Sequence, residues 1–217
     1  MSLIVKESPR RFFPSPPHPR SMVMLPTRSN PPAERSSSQS SDIDVSEVRG
    51  NISDEGKRLV LNIISYFIGS QEGCFGASVG ERLKLIEAEV VAKDGKASQG
   101  RTVFEIKIDK DMCNSFGTLH GACATYLVGP CTMTALGVLG AALGIDGTGV
   151  SQSVNIVWHQ PAKMGAKLRV ISTSVFIKGH IRTSHCELWD KERDILYISA
   201  THSTVNNFRS SPNRSKL

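Results

Sequence analysis

Polar and small residues crowd together where a long apolar segment begins: Asn114-Ser-Phe-Gly-Thr-Leu-His-Gly-Ala-Cys123. The residues that follow, rich in Ala, Leu and Val, predict a helix over about 119–143. Backbone N–H groups at a helix start are unpaired and point outward, so they can polarise an acyl carbonyl. Asn114, His120 and Gly121 are therefore the first candidates for chemistry, with Leu119 beside them. Each has a plainer use. Asn114 before Gly117 is also a turn residue, and His120 can cap the helix start. Two turns into the same helix stands Gly129-Pro130. Proline lacks an N–H and crowds the carbonyl of Tyr126, and glycine adds backbone freedom, so a kink is expected there.

Further blocks follow in order: Gly149-Val-Ser151-x-x-x-Asn155, then Pro161-Ala-Lys-x-Gly165. Together with Asn114-x-x-Gly117-Thr-Leu-His120-Gly121, they resemble the signature of PaaI-like hotdog-fold acyl-CoA thioesterases. Ala122 replaces that family's second glycine, and the resemblance covers about residues 83–205. It implies an antiparallel sheet wrapped around one long helix. It also implies hydrolysis of acyl-CoA to free acid and CoA, with no metal and no cofactor. The Gly121 N–H would polarise the thioester carbonyl. Asn114 would orient the attacking water or support the oxyanion, His120 would shape the pocket, and Ser151 would assist the water. The family's catalytic acid belongs at position 129, which is glycine here. A weak enzyme, or a protein that only binds acyl-CoA or a protein partner, is the alternative. The different Asp/His motif of hotdog hydratases is not found. Family precedent implies a homodimer or homotetramer with each site built from two chains.

The elements that must position these residues are legible as patterns. Ser53 is placed to cap a helix carrying Val60, Ile63, Ile64 and Phe67 at helical spacing, with Gly69 as its stop. Ile86, Ala88 and Val90 alternate with acids over 83–91, and Phe104, Ile106 and Ile108 alternate with charges over 101–108. The stretch between them, Lys93-Asp-Gly-Lys96, is a turn. Four more strands are expected at about 148–159, 166–178, 180–190 and 194–205, with hairpin turns at Lys178-Gly179 and at 191–194. The expected class is α+β: a short helix, two strands, a long helix and four strands, with the sheet's inner face on the long helix. CoA carries phosphates, so Lys178, His180 and Arg182 around one hairpin are candidates to meet them.

Charge excludes one class of partner. The chain carries +6, but residues 1–50 hold seven Lys/Arg against five acids, and residues 206–217 hold three bases and no acid. The middle is near neutral, so no nucleic-acid footprint is expected on the domain. No membrane span is expected; the longest apolar segments, 59–68 and 132–143, fall short of the ~20 residues required. Five cysteines without a Cys-x-x-Cys motif argue against a disulfide framework or a zinc site and fit a reducing compartment. Cys123 and Cys131 read as packing residues, and His159, Trp158 and Tyr126 as structural or wall residues. Asp109 and Asp111, just before the motif, are acids that could approach the pocket.

Residues 1–50, with eight of the eleven prolines and eleven serines, are expected to be disordered. Six bases against two acids in the first 35 faintly resemble a mitochondrial presequence, although dense proline opposes the helix it needs. The expected domain is 51–207. The tail 208–217 ends in Ser215-Lys216-Leu217, the address read by the peroxisomal import receptor. A peroxisomal location is expected, with mitochondrion or cytoplasm as alternatives.

Overall fold

The structure is a computed structural model that describes residues 44–68 and 74–206. Its helices are α1 (Asp54–Ile68), the short α2 (Ala77–Gly80) and α3 (Gly121–Leu143). Its strands are β1 (Lys84–Lys93), β2 (Lys96–Lys107), β3 (Val150–Trp158), β4 (Lys167–Lys178), β5 (Ile181–Asp190) and β6 (Leu196–Val205). The strands form one antiparallel sheet in the order β1-β2-β4-β5-β6-β3. This is the expected architecture, with two differences: the short α2 was not expected, and β2 begins five residues before its expected start. Residues 44–50 join it too: Val45 and Val48 are buried in the core, on the near side of the boundary expected at residue 50. The expected helix stop at Gly69 and the C-terminal tail lie outside the described residues.

Local chemistry explains the ends. The Ser53 hydroxyl accepts the Gly56 N–H (3.2 Å), which starts α1. Asp94 (φ +50°) and Gly95 (φ +73°) both take left-handed backbone, the two-residue turn whose twist matches a hairpin. Gly144 (φ +68°) closes α3.

By length and composition α3 could cross a bilayer. It is instead the core helix. Residues on every side of its second half are buried, against β2, β4 and β5 on one side and α1 on the other. It runs through Pro130 as one helix. It approaches the sheet tightly at Gly100 on β2. A Cβ there would stand 2.3 Å from the carbonyl oxygen of Ala135, a backbone atom that cannot swing aside. Thr102 and Thr134 hydroxyls meet across the same seam at 2.8 Å. Gly100→Ala is therefore expected to destabilise the fold by about 1–3 kcal/mol and to lower Tm by several degrees. Thermal unfolding followed by circular dichroism measures this; an unchanged Tm would refute the tight seam.

The two sheet edges differ. Along β1, Arg49 N–H donates to Ile86 O (3.0 Å), Ala88 N–H donates to Arg49 O (2.9 Å), and the Asn51 side chain bonds both main-chain groups of Val90 (2.8 Å each). That edge is covered. The outer edge of β3 is bare among the described residues, and all of β3 except Ile156 is exposed. Val150, Val154, Val157 and Trp158 stand out there as exposed apolar side chains. A bare apolar edge is a template for another strand.

Candidate active site

Residues 112–121 form a folded-back loop pinned on two sides. Asn114 N–H donates to Thr118 O (2.8 Å) and Gly117 N–H to Asn114 O (3.0 Å), with Gly117 at φ +69°. His120 N–H donates to Met112 O (2.8 Å) and Leu119 N–H to Ala162 O (2.8 Å). Met164 N–H donates to Gly117 O (3.0 Å). The Asn114 block and the Pro161 block, separate in sequence, are thus one structure.

The Asn114 side chain is held by its oxygen. Oδ1 accepts from Phe116 N–H (2.9 Å), Thr118 N–H (3.3 Å) and the Thr118 hydroxyl (3.2 Å). Its NH₂ group has no partner among the described residues, and Asn114 lines a cleft of about 500 Å³. Gly121, the first residue of α3, lines the same cleft, and its N–H also has no partner among the described residues. Leu119, Trp158, His159 and Ile198 supply walls. Two residues with unpaired donors thus line one part-apolar cleft, a pairing suited to an oxygen that gains negative charge.

His120 does something else. It is the N-cap of α3, and its Nδ1 accepts the Ala122 N–H (3.0 Å). The capping use weighed from sequence is the one the structure displays. His159, read from sequence as structural, borders the cleft while bonding Ser199 Oγ at 2.9 Å.

Ser151 is not in this cleft. It lies on β3 seven residues before Trp158, roughly 23 Å away along the strand. Its neighbours form a second cluster. Ser151 Oγ is 2.9 Å from His202 Nε2, and His202 Nδ1 is 2.6 Å from Thr132 Oγ1. Thr132 lies on α3 less than one turn past Gly129, whose carbonyl is 2.7 Å from the same hydroxyl. Within one chain the expected site residues are therefore split into an Asn114/Gly121 half and a Gly129/Ser151 half. His202 was missed in the sequence. Its only signal is a histidine at an inward position of β6, in register with buried Ile198, Ala200 and Thr204.

One sequence expectation is corrected. Arg182 is buried, not a phosphate-facing surface cation. Its guanidinium donates to the carbonyl oxygens of Asp146 (2.8 Å) and Gly179 (3.0 Å), which closes the loop before β3. His180 Nδ1–H donates to Asn206 O (2.9 Å), while Lys178 stays exposed. Asp109 and Asp111 are both ion-paired with Arg82 at 2.8 Å. Three of the thiols are held in the protonated form. Burial pushes Cys123 up to about 11 and Cys186 up to about 12, and raises Cys131 well above its ordinary value. No cluster of metal-binding side chains occurs among the described residues.

A six-stranded antiparallel sheet folded over one central helix, with polar groups gathered at that helix's start, defines the hotdog class. No protein-family model matches the sequence. Two curated relatives do, both acyl-coenzyme A thioesterase 13, from Homo sapiens and Pongo abelii. Each is 32% identical over 108 residues, covering 49% of this chain and 74% of the relative. Among solved structures, mouse thioesterase superfamily member 2 matches with TM-score 0.53 and 21% identity, covering 71% of this chain and 98% of that one. The zebrafish protein of the same name matches with TM-score 0.52 and 20% identity, covering 66% and 93%. The chain belongs to the PaaI-like hotdog-fold family of the thioesterase superfamily.

Proposed function

We propose that this protein is an acyl-CoA thioesterase that hydrolyses its substrate to free acid and CoA by metal-independent attack of water. One observation carries the reading: Gly121 and Asn114, each with an unpaired N–H donor among the described residues, line the same cleft at the start of the core helix. A thioester carbonyl placed between them would be polarised, and its oxyanion would gain two hydrogen bonds in the transition state. Trp158 and Leu119 offer an apolar wall to the acyl chain. The relatives' names support the substrate class.

The two half-sites meet only if two copies combine. Antiparallel pairing of β3 with β3 about Val154 would set Ser151 of one copy opposite residues 157 and 158 of the other, beside the second copy's Gly121. The bare edge of β3 supports this assembly, as a dimer or as dimers paired into a tetramer. Lys178 lies at the Ser151 end of the sheet, through the pairs Lys178–Ile181, Ile181–Val205 and Val205–Val150. As an exposed cation it would meet CoA phosphates arriving there. Val154→Asp would set two carboxylates face to face at the dyad. It is expected to give a monomer by analytical ultracentrifugation and to lose nearly all turnover with the fold intact. An active monomer would refute the shared site.

The test of the function is steady-state hydrolysis of a panel of acyl-CoAs by the full chain, with free CoA followed by a thiol reagent. Gly129, which offers no carboxylate, favours a second reading, that of a pure acyl-CoA binder. Tight binding without turnover would select it. Location in peroxisomes belongs to the same proposal, resting on Ser215-Lys216-Leu217, which lies outside the described residues. Removing those three residues should leave a fluorescent fusion in the cytosol.

A further inference from the structure

Three side chains lie in one hydrogen-bonded file from α3 to β3: Thr132, His202 and Ser151. Hydroxyls both donate and accept, so two distances alone leave the order of protons open. Thr132 resolves it. Its Oγ1 is also 2.7 Å from the Gly129 carbonyl oxygen and 2.9 Å from that of Val128. A carbonyl oxygen only accepts, so the Thr132 proton points back into the helix. The Thr132 oxygen then accepts from the imidazole, which places the imidazole proton on Nδ1. Nε2 keeps its lone pair and takes the Ser151 O–H. Every bond in the file runs the same way, from Ser151 through His202 and Thr132 to the helix.

The setting keeps that imidazole neutral. His202 is fully buried, and burial alone lowers its pKa below the ordinary 6.5. No charged side chain occurs on α3, β3 or β6. β5 turns Ser184, Cys186 and Arg182 inward. Ser184 donates to the His202 carbonyl, and Arg182 is held on the Asp146 and Gly179 carbonyls. The buried thiols of Cys131 and Cys186 remain protonated. Ser151 stands on the exposed strand between the imidazole and the outside. The far end of the file reaches the carbonyl of Gly129, where a carboxylate is missing.

Resting on the thioesterase reading above, we infer that His202, oriented by Thr132, accepts the proton of the attacking water through Ser151 in place of the carboxylate absent at Gly129. Water forms a C–O bond to the thioester carbonyl carbon, and the carbonyl electron pair moves onto oxygen. One water proton passes to Ser151 Oγ as the Ser151 proton passes to His202 Nε2. Collapse restores the C=O bond and breaks the C–S bond. The imidazolium then returns its proton through Ser151 to the leaving sulfur. The second water proton stays on the acid product, and nothing is oxidised or reduced. This uses the arrangement of hydroxyl, base and orienting group that activates nucleophiles elsewhere, with threonine as the orienting group.

The experiment compares the full-length protein with His202→Gln, Ser151→Ala, their double variant, and His202→Gln combined with Gly129→Asp, on one acyl-CoA across pH. Each single variant should lose ~10²-fold or more in kcat, and the double should lose no more than either, because the two side chains act as one unit. The sign of the pH effect follows from the lowered pKa. Wild-type kcat/KM should stay level through neutral pH and fall only below 6.5, as His202 takes a proton. In His202→Gln that acid limb should vanish. Gly129→Asp added to His202→Gln should restore turnover, with a new limb in the carboxylate range. If His202→Gln fails to fold, Ser151→Ala on the exposed strand carries the kinetic test. The ¹⁵N shifts of the wild-type imidazole then report the tautomer directly: a proton on Nδ1 is expected, and a proton on Nε2 overturns the inference. An active wild type whose rate and acid limb survive His202→Gln overturns it and leaves the thioesterase reading standing. A wild type without turnover overturns both.

Discussion

Asn114→Asp should lower kcat on acyl-CoA by ~10²–10³-fold while leaving Tm unchanged, the loss typical for removal of one oxyanion donor. The argument rests on how the side chain is divided. Its Oδ1 holds the turn through three donors, and its NH₂ is unpaired among the described residues on a residue that lines the cleft. Aspartate keeps an oxygen in the turn and removes the donor. It also sets a negative charge beside the oxygen that becomes negative, so the substitution discriminates between the two uses of the residue. Asn114→Ala is less clean. It removes the donor and the turn together, and three donors lose their acceptor, so both rate and Tm should fall. Equal rates for wild type and Asn114→Asp would make Asn114 a turn residue only, and the polarising role would pass to Gly121 alone. The contrast requires kcat, KM and Tm measured on the same preparations.

The sequence disclosed what depends on near neighbours in the chain. Alternation in β1 and β2, the Ser53 cap, and the apolar run of α3 between two glycines all express local rules, and the structure follows them. The clustering of Asn114 and Gly121 was legible for the same reason, because a loop and the helix it opens are contiguous. What was hidden depends on sheet order and register. Arg182 looked like a surface cation on a hairpin because nothing nearby in sequence shows that the Asp146 carbonyl comes down onto it. His202 looked like one residue of a polar strand end. Only the β3–β6 register sets Ser151 against it, and only the packing of α3 sets Thr132 on its other side. Likewise the split of the site follows from β3 pairing with β6 and running about seven residues between its two functional ends. A pattern of residue types cannot report which end of a strand lies near which loop.

Gly129 and Pro130 form a coupled pair, and this sets how an acid must be restored. Apart from its chain neighbours and the nearby backbone of its own helix, a Cβ on Gly129 would meet no atom within 4 Å, so an aspartate has room there. The obstacle is the neighbour. A proline ring disfavours helical backbone at the preceding residue when that residue has a Cβ, and glycine escapes most of this clash. Gly129 is therefore the residue that lets α3 continue through Pro130. Gly129→Asp alone should gain a general base and lose stability together: turnover up ~10²-fold, the lower end for such a base because the His202 file already serves, with a reduced Tm. Pro130→Ala removes the ring and returns an N–H to the carbonyl of Tyr126, a change of roughly 3 kcal/mol in an ordinary helix interior. The double variant Gly129→Asp/Pro130→Ala should then exceed both the wild-type rate and the wild-type Tm, with the affinity for a non-hydrolysable acyl-CoA unchanged. Calorimetric binding, steady-state rates and thermal unfolding on the four proteins measure all three. A double variant that is more stable yet no faster would mean that water does not stand between position 129 and the thioester, and the half-site assignment of Ser151 would fall with it.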